Sequence, residues 1–185
     1  MKQLLLIILI AFNCPLFGQN FNSDSLNKAL RSDASWAIRQ GEYSKAKVML
    51  DSLIMIEPLN AENYFVESLF FYYQKKTDSI IISLNKALEL GHDSMRVYKE
   101  FYRYYTFKQK DINKCFVYIN KMIEMQPNNP DHYMERSSLK VDLGDFDGSW
   151  SDIEMAAKLG NVNAKEQIDS REKDTERLRL KGIIK

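Results

Sequence analysis

Ten residues towards the carboxyl end, "LGDFDGSWSD" from Leu143 to Asp152, hold three aspartates and two glycines. Such a run could wrap a calcium ion in carboxylate oxygens. An EF-hand loop needs alternating oxygen ligands, a glycine at its sixth place and a glutamate at its twelfth. Counted from Asp142 those places hold Asp147 and Ile153, and counted from Asp145 they hold Trp150 and Ala156. Neither register binds calcium. His92 and His132 have no cysteine pair nearby, so zinc spacing is missing as well. No nucleophile elbow, phosphate-binding glycine loop, paired-histidine metal motif or triad is recognisable. The sequence therefore predicts a protein that is not an enzyme and uses neither metal nor cofactor.

The remaining chemistry is that of surfaces, and composition limits it. The 185 residues suit one compact domain, and a hydrophobic content of 45% supports a packed core. Lys plus Arg (26) nearly balances Asp plus Glu (25), so no overall field draws the chain to nucleic acid or anionic lipid. The first residues, "MKQLLLIILIAFNCPLFGQN", combine Lys2, an apolar run from Leu4 to Phe12, Pro15 and the small Gly18. That is the layout of a secretory signal, too short for a permanent span of ~20 residues. Export to the periplasm or outside the cell is expected, with cleavage near Gly18 and Gln19 and no integral membrane span in the mature chain. A lipid anchor on Cys14 is the weaker alternative, because Phe12 and Asn13 stand where small residues are wanted. Loss of Lys2 with the signal leaves 25 basic against 25 acidic residues. Cys115 is then the one remaining thiol.

An internal period supplies the architecture. Ala46, Ile80, Cys115 and Ser149 recur after 34, 35 and 34 residues; Leu50, Leu84, Ile119 and Ile153 follow four positions on, and Leu53, Ala87, Met122 and Ala156 three further. Steps of four and three place each set on one helical face. A preceding helix repeats too, with Leu30, Tyr64, Tyr98 and Tyr133 spaced by 34, 34 and 35. The third unit therefore has one extra residue, which falls in "TFKQK" between its helices. Turns are expected at Gly41-Glu42-Tyr43, Lys75-Lys76-Thr77, Lys110-Asp111-Ile112 and Gly144-Asp145-Phe146. The aspartate-rich stretch is one of these corners. Gly144 there ends a helix in the left-handed conformation, Asp145 or Asp147 caps the next, and Phe146 is expected to plug the space between helices. Cys115 reads as a packing residue.

These features resemble the tetratricopeptide repeat family: the period near 34, the Gly-acid-aromatic turns of "GEYSKA" and "GDFDGS", the alanines of "NKALELG" and "EMAAKLG", and the prolines of "IEPLN" and "MQPNN". The second and third units lack the turn glycine, and Lys140 stands where an aromatic is expected. The resemblance implies an all-α, right-handed α-solenoid of four helix-turn-helix repeats and a capping helix. The expected organisation is a signal at 1–18, a short leader at 19–26, repeats at 27–60, 61–94, 95–129 and 130–163, and a capping helix with tail at 164–185.

The resemblance also implies a concave surface, lined by the first helices, that holds a peptide or extended segment of another protein. Transferred unit by unit, its lining positions are Lys28, Arg31, Ser35, Ile38 and Arg39, then Glu62, Phe65, Leu69, Tyr72 and Tyr73. The third unit gives Arg96, Lys99, Arg103, Thr106 and Phe107, and the fourth Asp131, Met134, Ser138, Val141 and Asp142. On one reading Arg31, Lys99 and Arg103, with Arg96 beside them in the groove, meet an acidic or C-terminal carboxylate-bearing segment whose charge Arg31, Lys99 and Arg103 neutralise, while Phe65, Tyr72 and Tyr73 hold its apolar side chains. On the other, the cations are a solvated face with stems lying on aromatics and no ligand. A structural subunit of an envelope complex, working through its convex face or its ends, is the alternative function.

Overall fold

The computed structural model describes residues 23–181 and 183. The expected signal at 1–18, with Cys14, lies outside them. Among the described residues the regular elements are helices, laid out as pairs. They are α1 (Ser23–Gln40) with α2 (Tyr43–Ile56), α3 (Ala61–Tyr73) with α4 (Thr77–Glu89), α5 (Ser94–Tyr104) with α6 (Ile112–Met125), and α7 (Pro130–Asp142) with α8 (Phe146–Lys158), closed by α9 (Val162–Leu180). The first helix begins at Ser23, inside the segment expected as leader.

Each corner has a local chemical cause. Asn60, Asp93, Asn129 and Asn161 accept a hydrogen bond from the backbone N–H of Glu62, Met95, Asp131 and Ala164, which caps α3, α5, α7 and α9. Asp145 spends its carboxylate on the Gly148 N–H, the capping role open to it from sequence. Within pairs, the first helix ends in a left-handed residue, at Gly41, Lys75, Lys110 and Gly144. The next N–H then bonds back five residues in Glu42→Ala37, Lys76→Phe71 and Asp145→Lys140. In the third pair the bond runs six residues, from Asp111 to Tyr105, across a π-helical turn at Tyr105–Gln109. The extra residue is thus absorbed by widening the helix end rather than by a loop.

Lys75 and Lys110 adopt φ of 59° and 54°, where a Cβ is strained. Lys75→Gly and Lys110→Gly are each expected to stabilise the fold by about 1 kcal/mol, less the entropy glycine adds to the unfolded chain. Urea unfolding of the two variants checks this; a lower midpoint in both would refute the strain assignment.

Packing is shared between units. One apolar cluster joins Ala34 and Ile38 of α1, Leu50 of α2, and Val66 and Phe70 of α3. The next joins Phe65, Leu84, Phe101 and Tyr104, from α3 through α5, and Cys115 packs with Met95, Ile119, Met122 and Leu139 in the third. A helix pair alone could not bury these faces, so the stack is the folding unit. Cys115 is buried, its thiol pushed up by burial first of all, with Sγ 3.3 Å from Thr106 Oγ1. It is a packing residue.

Two details correct the sequence reading. Phe146 is 68% exposed and plugs nothing. Its counterpart Tyr43 packs edge-on against Phe70, ten residues after the cap Asn60, whereas ten residues after Asn161 stands Arg171, which lies over Trp150 at 4.1 Å. Phe146 therefore lacks an apolar partner. Lys140, at an aromatic position, is compensated by an acid: its Nζ donates to Asp152, 2.8 Å away, and to the Gly148 carbonyl at 3.0 Å. Arg136 completes the group with two bonds to Asp152, of 2.9 and 2.7 Å, and a third to Asn120.

Candidate protein-interaction groove

Along the first helices of the pairs, side-chain contacts run from α1 to α3 and from α3 to α5. Arg31 of α1 forms an ion pair with Glu57 and hydrogen-bonds Asn63 of α3 at 3.1 Å. Asn63 is buried and donates to the carbonyls of Leu53 and Glu57, while Asn27 and Asn60 donate to the Glu57 carboxylate. Arg31 is thereby locked in place. Lys28, Arg31, Ser32, Ser35, Glu62, Val66 and Arg96 bound an open cleft of about 340 Å³ between α1, α3 and α5.

Between α3 and α5, Arg96 grips both Glu62 oxygens, at 2.9 and 3.2 Å, and its guanidinium lies 4.4 Å from the Phe65 ring centre. His92 stacks on the same ring at 4.5 Å and places Nε2 2.7 Å from Glu62 Oε2. Phe65 is only 5% exposed, so it belongs to the core and meets the groove through Arg96; Ile38 is likewise buried. Tyr72 is half-buried, with Arg103 and Lys108 each 4.7 Å from its ring centre. Arg103 also pairs with Glu100. Tyr73 and Phe107, one repeat apart, are 46% and 67% exposed. Lys99 is exposed, and its charge acts on Glu135 and His132 of α7.

The structure thus brings Arg96 onto Phe65 and Arg103 onto Tyr72, sets Tyr73 edge-on to Tyr72, and leaves Lys99 exposed on α5. Two of the acids that pair with the cations, Glu57 and Glu100, are absent from the transferred positions. A signal for one pair is present: Lys28, Glu62, Arg96 and Asp131 occupy one column in successive units with alternating charge, and Glu62 and Arg96 do pair.

These pairings have a pH signature. Burial raises Glu57, Glu62 and Asp152, but hydrogen bonds from Asn27 and Arg31, from Arg96 and His92, and from Arg136 and Lys140 outweigh it and hold all three below their ordinary values. A carboxyl depressed in the fold adds stability above its unfolded value and loses it as pH falls through the folded one. Glu100 and Glu135 are raised above 4.5, first by burial, so acid relieves them before it harms the others. Urea unfolding is expected to change little between pH 7 and 5 and to weaken steeply below about pH 4. A steady fall beginning at neutral pH would contradict these assignments.

Stacked helix pairs, shared interhelical cores and a surface built from the first helix of each pair define a tetratricopeptide-type solenoid. Solved structures superpose on it accordingly. MamA AMB-1 matches with a TM-score of 0.56 at 18% identity, over 74% of this chain and 74% of that one. MamA MSR-1 matches with 0.53 at 19% identity, over 80% and 89%. YrrB, described as a TPR protein with an unusual peptide-binding site, matches with 0.56 at 13% identity, over 71% and 67%. At these identities the likeness is one of fold. No protein-family description matches the sequence, and no curated protein does.

Proposed function

We propose that this protein is a non-catalytic scaffold whose groove along α1, α3, α5 and α7 holds a peptide or extended segment of another protein. The observation that carries the reading is the pair of exposed aromatics, Tyr73 and Phe107, beside cations already fixed on neighbouring rings. Aromatic faces and preset guanidinium groups bind an extended chain at low ordering cost. The peptide-binding site of YrrB, on the same fold, is consistent with this use. Arg31, Phe65, Tyr72, Tyr73, Arg96, Lys99 and Arg103 are the working residues, with Phe65 acting from beneath Arg96. The segment carries acidic groups or a terminal carboxylate for the cations.

The site of action is the cell envelope or the exterior, a reading that rests on the amino-terminal "LLLIILIAF" run and not on the fold. No described helix is long and apolar enough to cross a membrane. A second reading, a structural subunit using its convex face, has its own support in Ile82 and Val117, exposed on α4 and α6.

Crosslinked capture from native envelope extract, with the protein and with an Arg96→Glu, Lys99→Glu, Arg103→Glu variant of unchanged helicity, separates the two. A partner lost by the variant supports the groove. Identical capture by both moves the interaction to the convex face or the ends.

A further inference from the structure

The closing helix α9 is charged on most of its surface, and of its side chains Ala164 is the buried one, in the apolar cluster of Ile153 and Ala156. Arg171 lies over Trp150 at a similar distance from the turn, so α9 runs antiparallel to α8. Because α8 has 13 residues and α9 has 19, the last six residues of α9, about 9 Å, pass beyond the start of α8. Leu178 and Leu180 on this tip are 38% and 81% exposed. Ile183, 64% exposed, is tied back to the helix end by its N–H, which donates to the Leu178 carbonyl at 3.0 Å. A helical tip without neighbours gains little from its own propensity.

Beside the tip, Trp150 and Glu154 of α8 line an open cleft of about 560 Å³ together with Ile168, Glu172, Glu176 and Arg179 of α9. Arg171 is engaged on the Trp150 ring. Glu154, Glu172, Glu176 and Arg179 are exposed and form no ion pair among the described residues.

The order of residues along this face is self-complementary. Ile168, Glu172, Thr175 and Arg179 follow at steps of four, three and four, which is one helical face, and Ile183 stands four further on. About the midpoint between Thr175 and Glu176, Glu172 lies as far to one side as Arg179 to the other, and Ile168 as far as Ile183. A second copy laid antiparallel about that midpoint sets each Glu172 against an Arg179 and each Ile168 against an Ile183. Laid parallel, it would set Glu172 on Glu172.

We propose that two copies of this chain associate through α9, antiparallel about a two-fold axis between Thr175 and Glu176, each tip lying in the other's α8–α9 cleft over Trp150 and Ile168. Charge complementarity names the occupant, since the line meets its own opposite when reversed. A contact of this kind uses the same patch on both copies, so it closes as a dimer and does not grow into a fibre.

Sedimentation equilibrium of the whole protein at micromolar concentrations tests this on the parent, on Glu172→Arg, on Arg179→Glu and on the two changes combined. Both positions are exposed, and circular dichroism checks that the helices are kept. The parent is expected to be a dimer that weakens with added salt. Either single change places like charges at both ends of the two-fold contact and should raise the dissociation constant about tenfold, two exposed pairs being lost together. The combined change exchanges acid and base within each pair and should return the dissociation constant to the parent's. Ile183→Asp should weaken the dimer through the apolar contact. A parent that stays monomeric, a dimer unmoved by the single changes, or a combined variant as weak as the single ones would each overturn the α9 pairing.

Discussion

Replacing Asp152 by alanine is expected to lower the unfolding free energy by about 3 kcal/mol, the scale of a buried ion pair broken from one side. Its side chain is 5% exposed and receives Arg136 and Lys140, themselves largely covered. Removal leaves two cations facing each other between α7 and α8 with no anion. The test compares two variants with the parent protein in urea: Asp152→Ala, and the triple replacement Arg136→Leu, Lys140→Leu and Asp152→Leu. Apolar side chains in all three places should recover much of the loss, since a buried ion-pair group gains little over good packing. An Asp152→Ala midpoint equal to the parent's would show that these charges are effectively solvated.

Phe101→Ala is expected to cost about 4 kcal/mol, the range for truncating a buried aromatic. Its ring is 1% exposed and stacks on Tyr118 at 4.6 Å and 9°, and Tyr118 stacks in turn on Tyr105 at 5.7 Å. These contacts lie at the middle of the repeat array. Because each repeat is stabilised by its neighbours, weakening a central one should also divide the cooperative unit. Fluorescence of Trp36 and Trp150, one near each end, should then report separate transitions under denaturant. A single coincident transition would mean that the array unfolds as one body despite the lost stack.

The sequence shows the periodic part of this architecture and hides what departs from it. Column residues such as Ala46, Leu50 and Leu53 repeat because the same helical face is buried in every unit, and the starts of α2, α4, α6 and α8 follow from the expected turns. The π-helical turn is legible as one extra residue, but its form is not, since length alone does not say whether a loop or a helix end takes it up. Lys140 reads as a flaw in the repeat because its partner Asp152 lies on the next helix. The burial of Phe65 is equally hidden: its position belongs to the groove in the repeat pattern, and only the three-dimensional approach of His92 and Arg96 covers it. For the groove, the types of side chain are readable while their pairings are not, apart from the alternating column of Lys28, Glu62, Arg96 and Asp131.

Whether the first helices hold the partner is tested most directly by placing the photoreactive residue benzoylphenylalanine at single positions and irradiating the protein in its native extract. Tyr73 on α3 and Phe107 in the π-helical turn after α5 belong to the proposed groove, Ile82 and Val117 stand on the second helices α4 and α6, and all four are exposed. Crosslinks to one partner from Tyr73 and Phe107, with none from Ile82 and Val117, are the predicted result. Crosslinks to that partner from Ile82 and Val117 alone would contradict the groove as the working surface.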